Sequence, residues 1–253
     1  MSVEKAAQLL ARARSALFIT GAGISAASGI PTYRGIGGLY GDRPAEEGLA
    51  IEDVLSGEMM RDRPAITWKY IHQIERACRG ATFNAAHAAL ATLEARLERA
   101  WVLTQNVDGL HAAAGSRRVI DIHGDIHHLI CTACAWDARV ADYATLAELP
   151  RCERCGAVVR PDVVLFGELL PSAKLELLDR EMNRGFDVVV SIGTSSLFPY
   201  ISRPVMIAKF KGWATIEINP ERTEISREVD VRLPMPAVEA LGTIVDLVER
   251  GAR

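Results

Sequence analysis

Ala16-Leu-Phe-Ile-Thr-Gly-Ala-Gly-Ile-Ser-Ala-Ala-Ser-Gly-Ile-Pro-Thr-Tyr-Arg-Gly35 is the stretch on which the fold turns. Leu17 to Thr20 is a short apolar run suited to a buried strand. The turn Gly21-Ala22-Gly23-x-x-Ala26 follows at once, with the spacing of a dinucleotide-binding loop. Gly21 allows the tight turn, Gly23 lets a phosphate approach the backbone, and small Ala26 lets a helix pack close with its N–H groups toward the anion. Alone, such a turn is common between any strand and helix. Here Ser28-Gly29-Ile30-Pro31 stops the helix within about two turns. The glycine-rich segment Arg34 to Gly41 comes next, and the acids Asp42, Glu46 and Glu47 lie beyond it rather than at a strand end. A loop is therefore expected to cover the dinucleotide, with the Arg34 fork near its phosphates.

The 253 residues suit one large domain or a domain with a small insert. Hydrophobic residues make up 49% and charged residues 24%, enough for a sizeable core. A net charge of −3 argues against nucleic acid or an anionic membrane as the main partner. No apolar run reaches the ~18 residues of a spanning helix. Met-Ser-Val-Glu-Lys does not open like a signal peptide, so the expected location is the cytoplasm.

Taken in order, residues 2–14 read as a helix capped by Ser2. Residues 52–60 and 64–79 read as two more, the second with Pro64 in its first turn. His72 and His87 sit in helical patterns, and Cys78 reads as a buried thiol. Asn84 caps a helix through Leu97. Strands are expected at 101–104, 119–122, 162–166, 186–192 and 214–218, and a helix at 237–250. Strands alternating with helices imply an α/β fold with a mostly parallel, doubly wound sheet. Polar clusters follow the strands at Gly21, Gln105, His123, Gly193 and Asn219. Ligands of such sheets bind outside the strands' carboxyl ends, so these clusters should meet at one site.

Cys131-x-x-Cys134 and Cys152-x-x-Cys155 are separated by a spacer of 17 residues, 135–151. That spacing and four thiolates point to one structural Zn²⁺ in a reducing compartment. The insert is too short for its own core, so the metal should supply much of its stability. Gln105-Asn106-Val107-Asp108 and His123 are the candidates for chemistry. His123 ends a β-branched strand before a glycine, so its ring should face the crevice as a general base for a ribose hydroxyl. His111, His127 and His128 are weaker candidates. Asn106 and Asp108 could bond an amide or a ribose, or simply serve the turn.

Together, Gly21 to Gly35, Thr104 to His111, His123-Gly124, the two Cys pairs, Arg160 to Glu168, Gly193 to Ser195 and Asn219 resemble the sirtuins in order and over most of the chain. That resemblance implies an NAD-dependent protein-lysine deacylase with a Rossmann-like domain (residues 1–34, 81–126 and 160–253). Residues 35–80 and 127–159 would form a small domain of helical and zinc-ribbon modules. Gly21, Ala22, Gly23 and Arg34 would hold NAD phosphates. Ser25, Gln105 and Asn106 would hold the nicotinamide-side ribose, beneath an aromatic cover at Tyr33. Ile30 and Asp108 would seat the carboxamide, and Val107 would be a further NAD contact. Gly193, Thr194, Ser195, Asn219, Pro220, Glu221 and Ala237 would contact the adenosine half.

His123, assisted by Asn106, would be catalytic. The acyl oxygen would attack the anomeric carbon as nicotinamide leaves, and His123 would then activate a ribose hydroxyl. Val163, Leu165, Phe166, Gly167 and Glu168 would pair with an acyl-lysine protein bound as an extended peptide. The implied protein is a monomer that binds neither membrane nor nucleic acid. The family usually has Phe where this chain has Tyr33. Relatives that remove succinyl groups carry Tyr-x-x-Arg, whereas Tyr70 is followed by Gln73, which favours uncharged acyl groups. Ser196 to Phe198 also depart from the commoner pattern. A dehydrogenase is the first rival, separated by NADH absorbance. Mono-ADP-ribosyl transfer is the second, separated by product mass. A zinc-ribbon nucleic-acid module is the third, separated by salt-dependent binding.

Overall fold

The computed structural model describes residues 2–31 and 48–251. The chain opens with α1 (Ser2–Arg12), β1 (Ser15–Thr20) and α2 (Ala22–Ser25), followed by a 3₁₀ turn over Ala26–Ser28. Then come α3 (Ile51–Val54), α4 (Gly57–Asp62), α5 (Pro64–Cys78), α6 (Ala85–Arg96), β2 (Arg99–Thr104), α7 (Leu110–Ala113) and β3 (Val119–Asp121). The next segment is β4 (Gly124–Cys131), β5 (Asp137–Arg139) and β6 (Val159–Val163). The chain closes with α8 (Ser172–Arg184), β7 (Val188–Ile192), α9 (Pro199–Lys211), β8 (Ala214–Ile218), β9 (Val231–Leu233) and α10 (Ala237–Arg250).

Six strands form a parallel sheet in the order β3-β2-β1-β7-β8-β9. From β1 the chain builds outward to one side through β2 and β3, then returns to the other side through β7. The β1/β7 seam is therefore the switch point, where an open α/β sheet leaves a crevice. Helices cover both faces. Phe18, Val190 and Ile216 pack on one side with α1, α6 and α10, while Leu17, Ile19 and Val189 pack on the other with α8 and α9.

A third core unites the small elements. Trp68 and Tyr70 of α5 pack with Ile126 and Leu129 of β4, Val159 of β6, Tyr143 and two of the cysteines. Trp68 Nε1–H donates to the Val159 carbonyl at 2.8 Å, and Tyr143 O–H donates to the Ile126 carbonyl. The helices and the cysteine-bearing strands thus share one apolar interior.

Several sequence expectations are corrected. The strand expected at 162–166 does not join the parallel sheet. Its first residues end β6, which pairs antiparallel with β4 in a separate sheet ordered β5-β4-β6. Residues 164–166 instead form a loop with one bridge, Ser56 to Phe166. The helix expected at 52–60 is two, because Leu55 leaves the helical conformation and Ser56 caps α4 through Met59 N–H. Ser2 is the first residue of α1 rather than a cap outside it. Strands β4 and β9 and helices α8 and α9 were not anticipated. Pro204 inside α9 masks that helix in the sequence. Among the described residues no helix is long and apolar enough to cross a membrane.

Candidate active site

The Gly21 turn closes directly on the end of β7. Gly21 N–H donates to the Ile192 carbonyl at 3.2 Å, and Gly23 N–H to the Gly193 carbonyl at 2.9 Å. A Cβ on Gly23 would lie 2.7 Å from Gly193 Cα, and one on Gly193 would lie 2.6 Å from Ile24 N. These glycines are therefore required by two backbones in contact, in addition to any approach of a phosphate. Ala26 is exposed at the start of the 3₁₀ turn.

Beside that turn a polar network joins residues from three segments. Asn106 Nδ2 donates to the Gly21 carbonyl and to Ser25 Oγ, both at 3.1 Å. Ser25, 1% exposed, donates to Asp108 Oδ2 at 2.7 Å. His87 Nδ1 accepts from Asn84 N–H at 3.3 Å, which leaves its other nitrogen protonated toward Ser25, 3.5 Å away. Burial lowers the His87 pKa below the usual range, although Asp108 works against the shift.

Behind this network is a cavity of ≈ 150 Å³, lined by Ala22, Ser25, Ile30, Ile74, Cys78, Asn106 and Asp108 among others. A cavity of that size holds a benzene-sized ring. Cys78 is thus half-buried and lines the cavity rather than sitting in the core. Burial pushes its thiol up to about 11. Its i+4 spacing from Ile74 on α5 was the signal available in the sequence.

Gln105 links the two halves of the crevice. Its Nε2 donates to Thr194 Oγ1 at 2.8 Å, and its carbonyl accepts from His123 Nδ1 at 3.0 Å. His123 therefore faces the crevice, on the same side of the sheet as the glycine turn. Burial lowers its pKa; the Gln105 carbonyl opposes that shift, and the Lys174 charge adds to it. Lys174 is itself paired with Asp121 at 3.0 Å. His111 is buried under the network, with Thr20 Oγ1 2.9 Å from its Nε2 and the His87 ring 4.9 Å away between centroids. His127 and His128 are half-buried beside Asp125, Asp137 and Asp162.

On the other flank Asn219 Nδ2 donates to the Thr194 carbonyl at 3.0 Å, and Glu221 N–H donates to Asn219 Oδ1 at 3.1 Å. Ser195, Pro220 and Glu221 are exposed, whereas the Ala237 side chain is buried in the core at the start of α10. Ser196 adopts φ 57°, unusual for a residue with a side chain, and is buried with its N–H on Thr194 Oγ1. Tyr33 and Arg34, with Asp42, Glu46 and Glu47, lie outside the described residues.

The loop Val163 to Glu168 closes the crevice toward α3 and α4. Its donors are largely engaged: Val164 N–H on the His123 carbonyl, Leu165 N–H on Glu168, Phe166 N–H on Leu55 and Glu168 N–H on Leu165. Val107 and Ile126 tie the loops together by a 3.0 Å backbone bond. Burial works against the Glu168 carboxylate, but Arg160 and the Leu165 N–H outweigh it and hold its carboxyl low.

The four cysteines converge. Their sulfurs lie within 4.8 Å of one another, with Cys131 to Cys155 at 3.5 Å and Cys134 to Cys152 at 3.7 Å. Tetrahedral zinc with Zn–S of ~2.3 Å sets sulfurs about 3.8 Å apart, so the cluster fits that ion. Ala133 N–H points at Cys131 Sγ at 3.4 Å and helps pull that thiol down to about 6.

The Sir2 family model matches residues 21–198. The NAD-dependent protein deacylase 2 of Pseudomonas aeruginosa is 46% identical over 247 residues, covering 96% of each chain. A solved Sir2 homologue in complex with NAD superposes with TM-score 0.89 at 35% identity, covering 99% of this chain and 95% of its own. A Sir2 bound to a p53 peptide and NAD⁺ superposes with TM-score 0.84 at 27% identity over 100% of both chains.

Proposed function

Because the chain belongs to the Sir2 family, we infer that it is an NAD-dependent protein-lysine deacylase, which moves an acyl group from lysine to ADP-ribose and releases nicotinamide. The observation that carries this reading is the bridge through Gln105, which joins the His123 ring to the Thr194 turn across one crevice. NAD, when bound, supplies the ADP-ribose that accepts the acyl group.

In this reading the Gly21 turn and Arg34 hold its phosphates, and Tyr33 covers the ribose. Gly193, Thr194, Ser195, Asn219, Pro220, Glu221 and Ala237 line the adenosine side. Ser25, Asn106 and Asp108 orient the nicotinamide end, and Ile30 packs against its ring in the ≈ 150 Å³ cavity. His123 holds its lone pair on Nε2, because the Gln105 carbonyl keeps the proton on Nδ1, and so serves as base.

The substrate lies extended along Val163, Leu165, Phe166, Gly167 and Glu168. Tyr70 is 3% exposed and buried in the small core, which supports preference for uncharged acyl groups. Zinc, held by Cys131, Cys134, Cys152 and Cys155, is structural, since four protein ligands leave no open position. The domain division proposed is residues 1–34, 81–126 and 160–253 for NAD, with 35–80 and 127–159 as the small domain. A cytoplasmic monomer is the accompanying proposal, supported by four thiols poised for a metal rather than paired.

The test is a panel of acetyl-, propionyl-, crotonyl- and succinyl-lysine peptides with NAD, scored by product mass. Uncharged acyl groups are expected to leave with nicotinamide release. His123→Ala should lose ~10²–10⁴ in turnover while still binding NAD. Near-normal turnover by that variant would remove the base assignment, and ADP-ribose attached to protein would replace deacylation.

A further inference from the structure

The lone pair that the base needs is already taken. The Gln105 carbonyl can only accept, so His123 Nδ1 carries the proton and the in-plane lone pair is on Nε2. The Tyr200 hydroxyl lies 2.7 Å from Nε2 and donates to it. Tyr200 is the second residue of α9, which opens with Pro199. Phe198 stacks on its ring at 5.4 Å between centroids and 12° between planes. Both rings meet His123 edge-on, Phe198 at 6.4 Å and Tyr200 at 5.8 Å. His123 is thus clamped at both nitrogens by residues from different elements.

One imidazole lone pair accepts one strong in-line hydrogen bond. A ribose hydroxyl that gives its proton to Nε2 needs the position that Tyr200 O–H occupies. We propose that Tyr200 masks the base: on a ring whose tautomer the Gln105 carbonyl already sets, its hydroxyl occupies Nε2 in the free protein and yields it to the ribose hydroxyl when substrates bind. This rests on the reading of His123 as base. The free protein is then stabilised by a hydrogen bond that the working complex lacks, so the hydroxyl slows productive capture of NAD. Phe198, 40% exposed, forms the outer side of the stack.

Tyr200→Phe keeps the ring and the stack and removes only the donor. The first readout is carbethoxylation of His123 by diethyl pyrocarbonate, located by peptide mass, because that reagent needs an unprotonated and unbonded ring nitrogen. The second is steady-state kinetics. His123 is expected to react about threefold faster or more in Tyr200→Phe, with kcat/KM for NAD up about two- to fivefold and kcat rising less. Phe198→Leu loosens the stack but keeps the hydroxyl, and should give an intermediate modification rate. Modification rates at or below wild type in both variants overturn the proposal. So does a fall of about tenfold or more in kcat for Tyr200→Phe, which would place the hydroxyl in the chemical step itself. Failure of the base reading shows separately, as turnover retained by His123→Ala.

Discussion

Every residue of Val188–Ile192 in the parallel sheet is buried, whereas Asp137–Arg139 in the antiparallel sheet runs exposed, half-buried, exposed. The two sheets solve the same problem with different means. Central strands of the parallel sheet are covered on both faces, and each fully buried Val, Leu or Ile contributes ~1.5–3 kcal/mol. The small sheet has one covered face. Its apolar interior is borrowed from α5 through Trp68, and its far end is left to four cysteines. In the proposed function the crevice draws on both regions, so turnover is expected to depend on the parallel sheet and on a half that a metal completes.

Zinc removal is the largest blow to that comparison. A chelator should remove several kcal/mol of the ~10–16 kcal/mol that structural zinc carries, and with it turnover. Hydrogen exchange read by mass should show β4, β5, β6 and α5 losing protection while β1, β2, β7 and β8 keep theirs. Equal loss in both sheets would mean that the two regions form one cooperative unit. Gly193→Ala acts on the parallel half alone. It places a Cβ against the Ile24 backbone at φ 58°, and should cost about 3 kcal/mol in urea unfolding with the zinc module's protection intact.

The smallest effect concerns acid. Burial, reinforced by His87, pushes His111 down to about 3. The unfolded chain therefore binds that proton first, near the ordinary value of ~6.5. Its stabilising effect is complete above that pH and is lost as pH falls toward 3. Between pH 7 and 5 the loss should be about 2 kcal/mol, and His111→Asn should flatten that slope in urea titrations.

Much of this was legible beforehand where the signal is local. The β1 run, the Gly21 turn and the Asn84 cap are spelled by neighbouring residues, and the Cys spacing is its own ruler. The region around residue 164 was less legible. Asp162 to Phe166 is as apolar as a parallel strand, yet only Asp162 and Val163 are strand, and they pair with β4, whose His127 and His128 hide it as a strand. Nothing in the strand expected at 214–218 shows that Glu217 is buried against Arg232, which follows from the pairing of β9 with β8.

The chain's order of residues, by itself, determined α1, β1, β2, β3, β7, β8 and α10, the four-cysteine ion site and the family motifs. Those follow from periodicity, turn chemistry and spacing, which act over a few residues. Only the tertiary structure decided that Gly23 faces Gly193, that Cys78 lines the cavity and that Tyr200 sits on the lone pair of His123. Each of those joins residues tens of positions apart, and such a contact is set by how sheets and helices pack, which no local pattern encodes.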